Sequence, residues 1–127
     1  MFWDANPRAA DEPEFTVEWA RLRPGVPIVW GRGRLNRATV DDLRRAVDRC
    51  LETGPWAVVV DFTRVTELRA GAIPKLGEMA ERARADHVGL HFVTNGGALD
   101  GLLDRPPSGV LPAIHRSVAA AQLALGR

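Results

Sequence analysis

This sequence has little cysteine, lysine or net charge, and no long apolar run. Cys50 is the only cysteine, which excludes an internal disulfide and suits a reducing cytoplasm. Lys75 is the only lysine, so nearly all the basic residues are arginine. The formal net charge is only +1, which argues against bulk electrostatic capture of nucleic acid. No apolar run approaches the roughly 18 residues of a membrane span. The opening residues, MFWDANPRAADEPE, lack the basic-then-apolar order of a signal peptide. A soluble, cytoplasmic protein is the expectation.

What is present is an ordinary globular composition, 46% hydrophobic and 26% charged over 127 residues. That length predicts one domain, large enough to bury about two-thirds of its unfolded surface without a metal or disulfide. Residues 1–12 hold one proline and three acids with no apolar period and read as a flexible N-terminal arm. The domain is expected over 13–127.

The organised pattern starts at Phe15. FTVEWARL alternates Phe15, Val17 and Trp19 against Thr16, Glu18 and Ala20, the period of a half-buried strand. Pro24-Gly25 supplies a turn, and PIVWGRG a second strand, giving an N-terminal β-hairpin. NRATVDDLRRAVDRCLETGP predicts a helix capped by Thr39, with Asp42 at the capping-box position. Val40, Leu43, Val47, Cys50 and Leu51 form its apolar stripe, so Cys50 is expected to be packed inside. WAVVVDF reads as a central strand buried on both faces, ending at Asp61. A second helix runs through AIPKLGEMAERARADH. Pro74 is tolerated only in its first turn, which sets the start near Gly71 or Ala72. VGLHFVT predicts another buried strand, NGG a turn, ALDGLLD a short helix, and VLPAI an edge strand because of Pro112. Ser117 is expected to cap VAAAQLAL, the last helix.

The fold class is therefore α/β, in the order β-β-α-β-α-β-α-β-α. Right-handed crossovers make the sheet mostly parallel, and the loops at the C-terminal strand ends form its default functional face.

Catalytic chemistry is sparse. His87 falls at a helix end, His91 in a strand and His115 in a loop, with no metal-ligand spacing among them. Ser108 and Ser117 have no nucleophile-elbow context. GRGRLNR (31–37) and TNGGALDG lack the phosphate-loop and dinucleotide patterns. Asp61 stands where a binding carboxylate would sit, or where an acid would accept local backbone hydrogen bonds. No nucleophile, base and oxyanion donor assemble. An enzyme is not expected, and neither is a cofactor or metal.

Taken in order, these segments resemble the STAS domain, the fold of bacterial anti-sigma factor antagonists. GRLN (33–36) stands where that family has Gly-Glu-Leu-Asp. VVVDFTRVTEL (58–68) resembles Val-x-Leu-Asp-Leu-Ser-x-Val-x-Phe-Leu, AGAIPKL (70–76) resembles Ser-Ser-Gly-Leu-x-x-Leu, and LPAIHRSVAAA (111–121) resembles the closing strand and capped helix. The resemblance implies a non-catalytic protein-interaction module. It also implies a switch in which a partner anti-sigma kinase phosphorylates a serine at the start of the second helix.

Aligned through Leu68 and Ile73, the family's Asp-Ser-Ser-Gly becomes Arg69-Ala70-Gly71-Ala72, with Gly71 at the phosphoacceptor position. The preceding loop's glutamate and aspartate become Arg34 and Asn36. Arg32, Arg34, Arg37 and Arg69 would then form a basic rim. An atypical antagonist would use Arg34, Asn36, Asp61, Arg69, Ala70 and Gly71 to bind its protein partner, an anti-sigma factor or kinase-like ATPase. The alternatives are a STAS subunit of a larger, transporter-associated assembly, and a module binding a small anion or nucleotide. A homodimer is left open.

Overall fold

The structure, a computed structural model, describes residues 13–96 and 112–126. Strand β1 (Phe15–Arg23) turns at Pro24-Gly25 into β2 (Val26–Leu35). Gly25 takes a φ of +76°, a left-handed conformation that a glycine reaches without steric cost. Helix α1 (Val40–Glu52), strand β3 (Ala57–Leu68), helix α2 (Ile73–Ala85), strand β4 (Gly89–Val93), strand β5 (Ala113–His115) and helix α3 (Val118–Leu125) follow. The sheet order is β1-β2-β3-β4-β5. Only the β1–β2 pair is antiparallel; β2–β3, β3–β4 and β4–β5 are parallel. The expected α/β class, hairpin and mostly parallel sheet are all present. The short helix expected at 98–104, the arm at 1–12 and the start of the predicted edge strand at 110–111 lie outside the described residues.

Two cores sandwich the sheet. On one face the α1 stripe of Val40, Leu43, Val47, Cys50 and Leu51 meets Val58, Val60, Leu76, Met79 and Phe92. On the other, Ala121 and Leu125 of α3 cover Val26, Ile28, Ala57, Val59 and Val93. The unbroken apolar run of β3 thus follows from burial on both faces. Cys50 is buried, and burial pushes its thiol pKa up, which leaves it a packing residue rather than a nucleophile. Ser117 caps α3 as expected, its hydroxyl accepting from the Ala120 N–H at 3.0 Å. Among the described residues no helix is long and apolar enough to cross a membrane.

Two local expectations change. Thr39 does stand at the N-cap of α1, but its side chain makes no cap bond there. Its hydroxyl instead donates to the Arg34 carbonyl at 2.8 Å and accepts from the Asn36 N–H at 2.9 Å. Asp42 pairs with Arg45 rather than closing a capping box. The second change concerns β3, which does not end at Asp61 but runs seven residues further, to Leu68. Register irregularities against β2 fall between Trp30 and Arg32 and between Gly33 and Arg34. These bulges let the β-branched and polar segment TRVTEL keep pairing with β2 after β4 has stopped at Val93, opposite Asp61.

Beyond Asp61, then, β2 and β3 continue as a two-stranded ribbon. Its inner side, Leu35, Val65 and Leu68, rests on the larger core. Its tip carries the turns that lead into α1 and α2.

Candidate functional site

The ribbon tip brings the two loops singled out in the sequence into contact. The Arg69 N–H donates to the Leu35 carbonyl at 2.9 Å. A 3₁₀ turn, Ala70–Ala72, then leads straight into α2, with Pro74 in the first turn. The helix start expected near Gly71 or Ala72 is therefore found, displaced to Ile73 by this turn. Arg69, Ala70 and Gly71 are exposed. Gly71 has no positive φ; its lack of a side chain matters for space, since a Cβ there would lie 3.1 Å from the Arg37 Cβ. The α2 entry and the α1 entry thus pack edge to edge through Gly71 and Arg37.

Asn36 organises the α1 entry. Its Oδ1 accepts from the N–H groups of Ala38 at 2.9 Å and Thr39 at 3.0 Å, and its Nδ2 donates to the Glu14 carboxylate at 2.7 Å. This is an Asx turn, in which a side-chain oxygen stands in for a backbone acceptor, and it supplies the cap that Thr39 does not. Asn36 therefore has a structural job at the tip. Asp61 lies away from it, near the base of the ribbon, where its Oδ1 accepts from the Thr63 N–H at 2.8 Å. Its carboxylate serves the local backbone as β3 leaves β4.

The arginines separate into two groups. Arg37 and Arg69 sit at the tip, and Arg69 pairs with Glu67. Arg32 and Arg34 lie on the ribbon. Arg32 stands opposite Arg64 and Arg34 opposite Glu67 in the β2–β3 register. Sequence reasoning missed Arg64; its signal was position in TRVTEL, legible only if the strand is known to continue. Like charges directly opposite each other cost free energy unless an anion relieves them. Among the described residues, the ion pairs take up Arg44, Arg45, Arg69, Lys75 and Arg82, not Arg32, Arg34, Arg37 or Arg64. An open hollow of about 770 Å³ lies beside Arg32, lined also by Thr16, Glu18, Gly33 and Thr66. Tip and ribbon together present a surface that is basic, shallow and hydroxyl-bearing, suited to docking rather than to enclosing a substrate.

The histidines give a different result from the expected one. His115 is not in a loop but closes β5, and it meets His91 of β4 with 2.9 Å between Nε2 and Nδ1. The ring centroids are 5.2 Å apart and the planes differ by 20°. That separation is close to the largest a 2.9 Å contact permits, so the nitrogens lie nearly on the line between the ring centres. This is an in-plane N–H···N bond, with one ring donating and the other accepting. The lone pair and the proton face each other, so the pair does not converge on a metal. Among the described residues no group of three or more potential ligands forms a metal position.

Burial, and then the neighbouring His115, hold the His91 pKa below its ordinary value. Because the folded-state pKa is depressed, the linked stability is complete above the unfolded value of about 6.5 and is lost as pH falls through the folded one. His91→Gln is expected to shrink the drop in urea midpoint between pH 8 and pH 5. A drop as large as that of the wild type would show that the pair does not contribute to it.

No protein-family model matches the sequence, and no curated protein does. Solved structures do match. An anti-sigma factor antagonist from Mycobacterium paratuberculosis superposes with a TM-score of 0.70 at 21% identity, over 89% of this chain and 95% of that one. The unphosphorylated anti-sigma factor antagonist SpoIIAA gives 0.68 at 9% identity, over 88% and 98%. The Bacillus cell fate determinant SpoIIAA in its phosphorylated form gives 0.65 at 9%, over 86% and 99%. The chain has their fold, the STAS fold that its segments resemble.

Proposed function

We propose that this chain is a non-catalytic regulatory module that docks on a protein partner: an atypical anti-sigma factor antagonist that cannot be phosphorylated at the usual site. The observation that carries the reading is the exposed turn Arg69-Ala70-Gly71 at the entry to α2, on a fold shared with anti-sigma factor antagonists. Glycine offers no oxygen for a phosphoester. The −1.5 to −2 charges that a phosphoserine brings have no attachment point at residue 71, so binding there is constitutive. The partner is an anti-sigma factor or kinase-like ATPase in the cytoplasm, with an acidic docking face. Arginines at the rim of such a contact act mainly on association rate and selectivity.

The test is capture from native lysate with wild type and Arg69→Asp in parallel. Arg69 is 70% exposed, so its reversal leaves the core untouched while placing a second acid beside Glu67. The wild type is expected to retain an ATPase-like anti-sigma factor, and the variant to bind it about tenfold more weakly or worse. Incubated with that ATPase and ATP, the wild type is expected to take up no phosphate. In Gly71→Ser, which asks the exposed Arg37 side chain to give by a few tenths of an ångström, uptake becomes feasible. Equal retention by wild type and Arg69→Asp would remove the tip from the interface.

A further inference from the structure

Among the described residues the sheet has two free edges, and they are guarded very differently. The β5 edge is three residues long and follows Pro112, which has no N–H to offer a neighbour. The β1 edge is nine residues long and holds no proline, and its two basic residues, Arg21 and Arg23, sit at the hairpin end. Its one register irregularity lies between Arg21 and Arg23, beside the hairpin turn. Its one acid, Glu18, accepts from the Trp30 indole N–H at 3.1 Å. Edges of this length are usually blunted by charge, proline or a bulge in the middle.

Which backbone groups face outward follows from one residue. Pro27 stands opposite Arg21 in the β1–β2 register. Having no N–H, it cannot belong to a pair that exchanges two hydrogen bonds. Such pairs alternate with non-bonded ones along an antiparallel ladder. Thr16, Glu18 and Ala20 therefore bond to β2, while Phe15, Val17, Trp19 and Arg21 turn their N–H and C=O groups to the free edge. Those outward residues also carry the apolar row. Phe15 is buried and Val17 half-buried, but Trp19 is 58% exposed. Between β1 and α1 lies a hollow of about 380 Å³, lined by Phe15, Val17, Trp19 and Ala46 and by the charged residues Asp42, Arg45 and Arg49, of which Arg45 is paired with Asp42. An apolar floor with Arg49 at its rim has room for an aromatic ring.

We propose that β1 is a dimerisation edge, on which the β1 strand of a second copy of this chain adds antiparallel, with the two-fold axis at Trp19. Outward residues must meet outward residues, which allows only a few registers. A centre at Glu18 sets two carboxylates directly opposite each other, at a cost. A centre at Ala20 pushes the pairing into the irregularity at the hairpin end. The centre at Trp19 places Glu18 against Ala20 and Val17 against Arg21, and sets the two most exposed side chains of the apolar row together as a cross-strand aromatic pair. Because β5 is too short to serve as a complementary edge, the contact is isologous and closes at two copies instead of growing into a fibre.

The experiment is sedimentation velocity on the full chain across a concentration series, with Trp19→Glu and Val17→Pro alongside. Trp19→Glu alters an exposed side chain, and Val17→Pro removes an N–H that β2 does not use, so both variants keep the hairpin. The wild type is expected to sediment as a dimer that dissociates on dilution. Each variant is expected to raise the dissociation constant by about tenfold or more. A wild type that is monomeric at every concentration overturns the proposal, as does a dimer that both variants leave intact.

Discussion

Gly33→Ala is expected to cost about 3 kcal/mol of folding stability, although it adds a single methyl group to a half-buried position. Gly33 sits inside β2 at φ +111°, a backbone conformation essentially closed to residues with a Cβ. A Cβ built there would lie 2.3 Å from the Glu14 carbonyl oxygen and 3.3 Å from the Phe15 Cα. Both are backbone atoms and cannot swing aside. That carbonyl is also committed, since it accepts from the Arg34 N–H at 3.0 Å. Relief would require β2 to lose the irregularity between Gly33 and Arg34, which would shift Arg34 and Leu35 out of register with Glu67 and Leu68. Urea unfolding should show the midpoint falling by about 1–2 M with an unchanged slope. A loss below about 1 kcal/mol would mean that the strand rebuilds without its irregularity. Gly33 opens the GRLN segment, so here the resemblance to the family's Gly-Glu-Leu-Asp has a steric cause.

Legibility followed the range of the interactions. The Pro24-Gly25 turn, the α1 stripe ending at Gly54, the double-sided burial of Val58, Val59 and Val60, and the Ser117 cap are each decided within a few residues, and each is found where the sequence places it. The extent of β3 was not legible. TRVTEL follows an apolar run and looks like an exit, and only pairing with the bulged end of β2 keeps it a strand. Arg64 was missed for that reason. The His91–His115 contact spans 24 residues and needs the β4–β5 register, which no local pattern encodes. Trp19 belongs to an alternating row that predicts half-burial. It is exposed because the row continues past the cover that α1 provides at Phe15, and covering depends on packing rather than period. At the candidate site, Arg32, Arg34, Arg37 and Arg69 could be named from the sequence, but not their division between tip and ribbon. That division follows from strand length.

Asn36 shows how a departure from a family pattern can be compensated nearby, and Asn36→Ala is expected to cost about 2 kcal/mol. The alanine would leave the N–H groups of Ala38 and Thr39 without their acceptor and would free Glu14 from the tip. Asn36→Asp, the residue that the resemblance places there, should cost less. It keeps an acceptor oxygen, and a carboxylate is favourable near the start of α1. What it loses is the Nδ2–H donor, which sets a second carboxylate against Glu14. Adding Glu14→Gln supplies a donor from the other side, so the double variant should return to within about 0.5 kcal/mol of wild type. A double-mutant cycle in urea at neutral pH measures this directly. Failure of Glu14→Gln to rescue Asn36→Asp would show that the two side chains are not coupled. If they are coupled, Glu14 supplies at the tip the carboxylate that the family pattern carries at position 36. The tip then carries a carboxylate from β1's approach, held by Asn36, which lies between Arg34 and Arg37 in the sequence, where the pattern would have placed two acids on one loop.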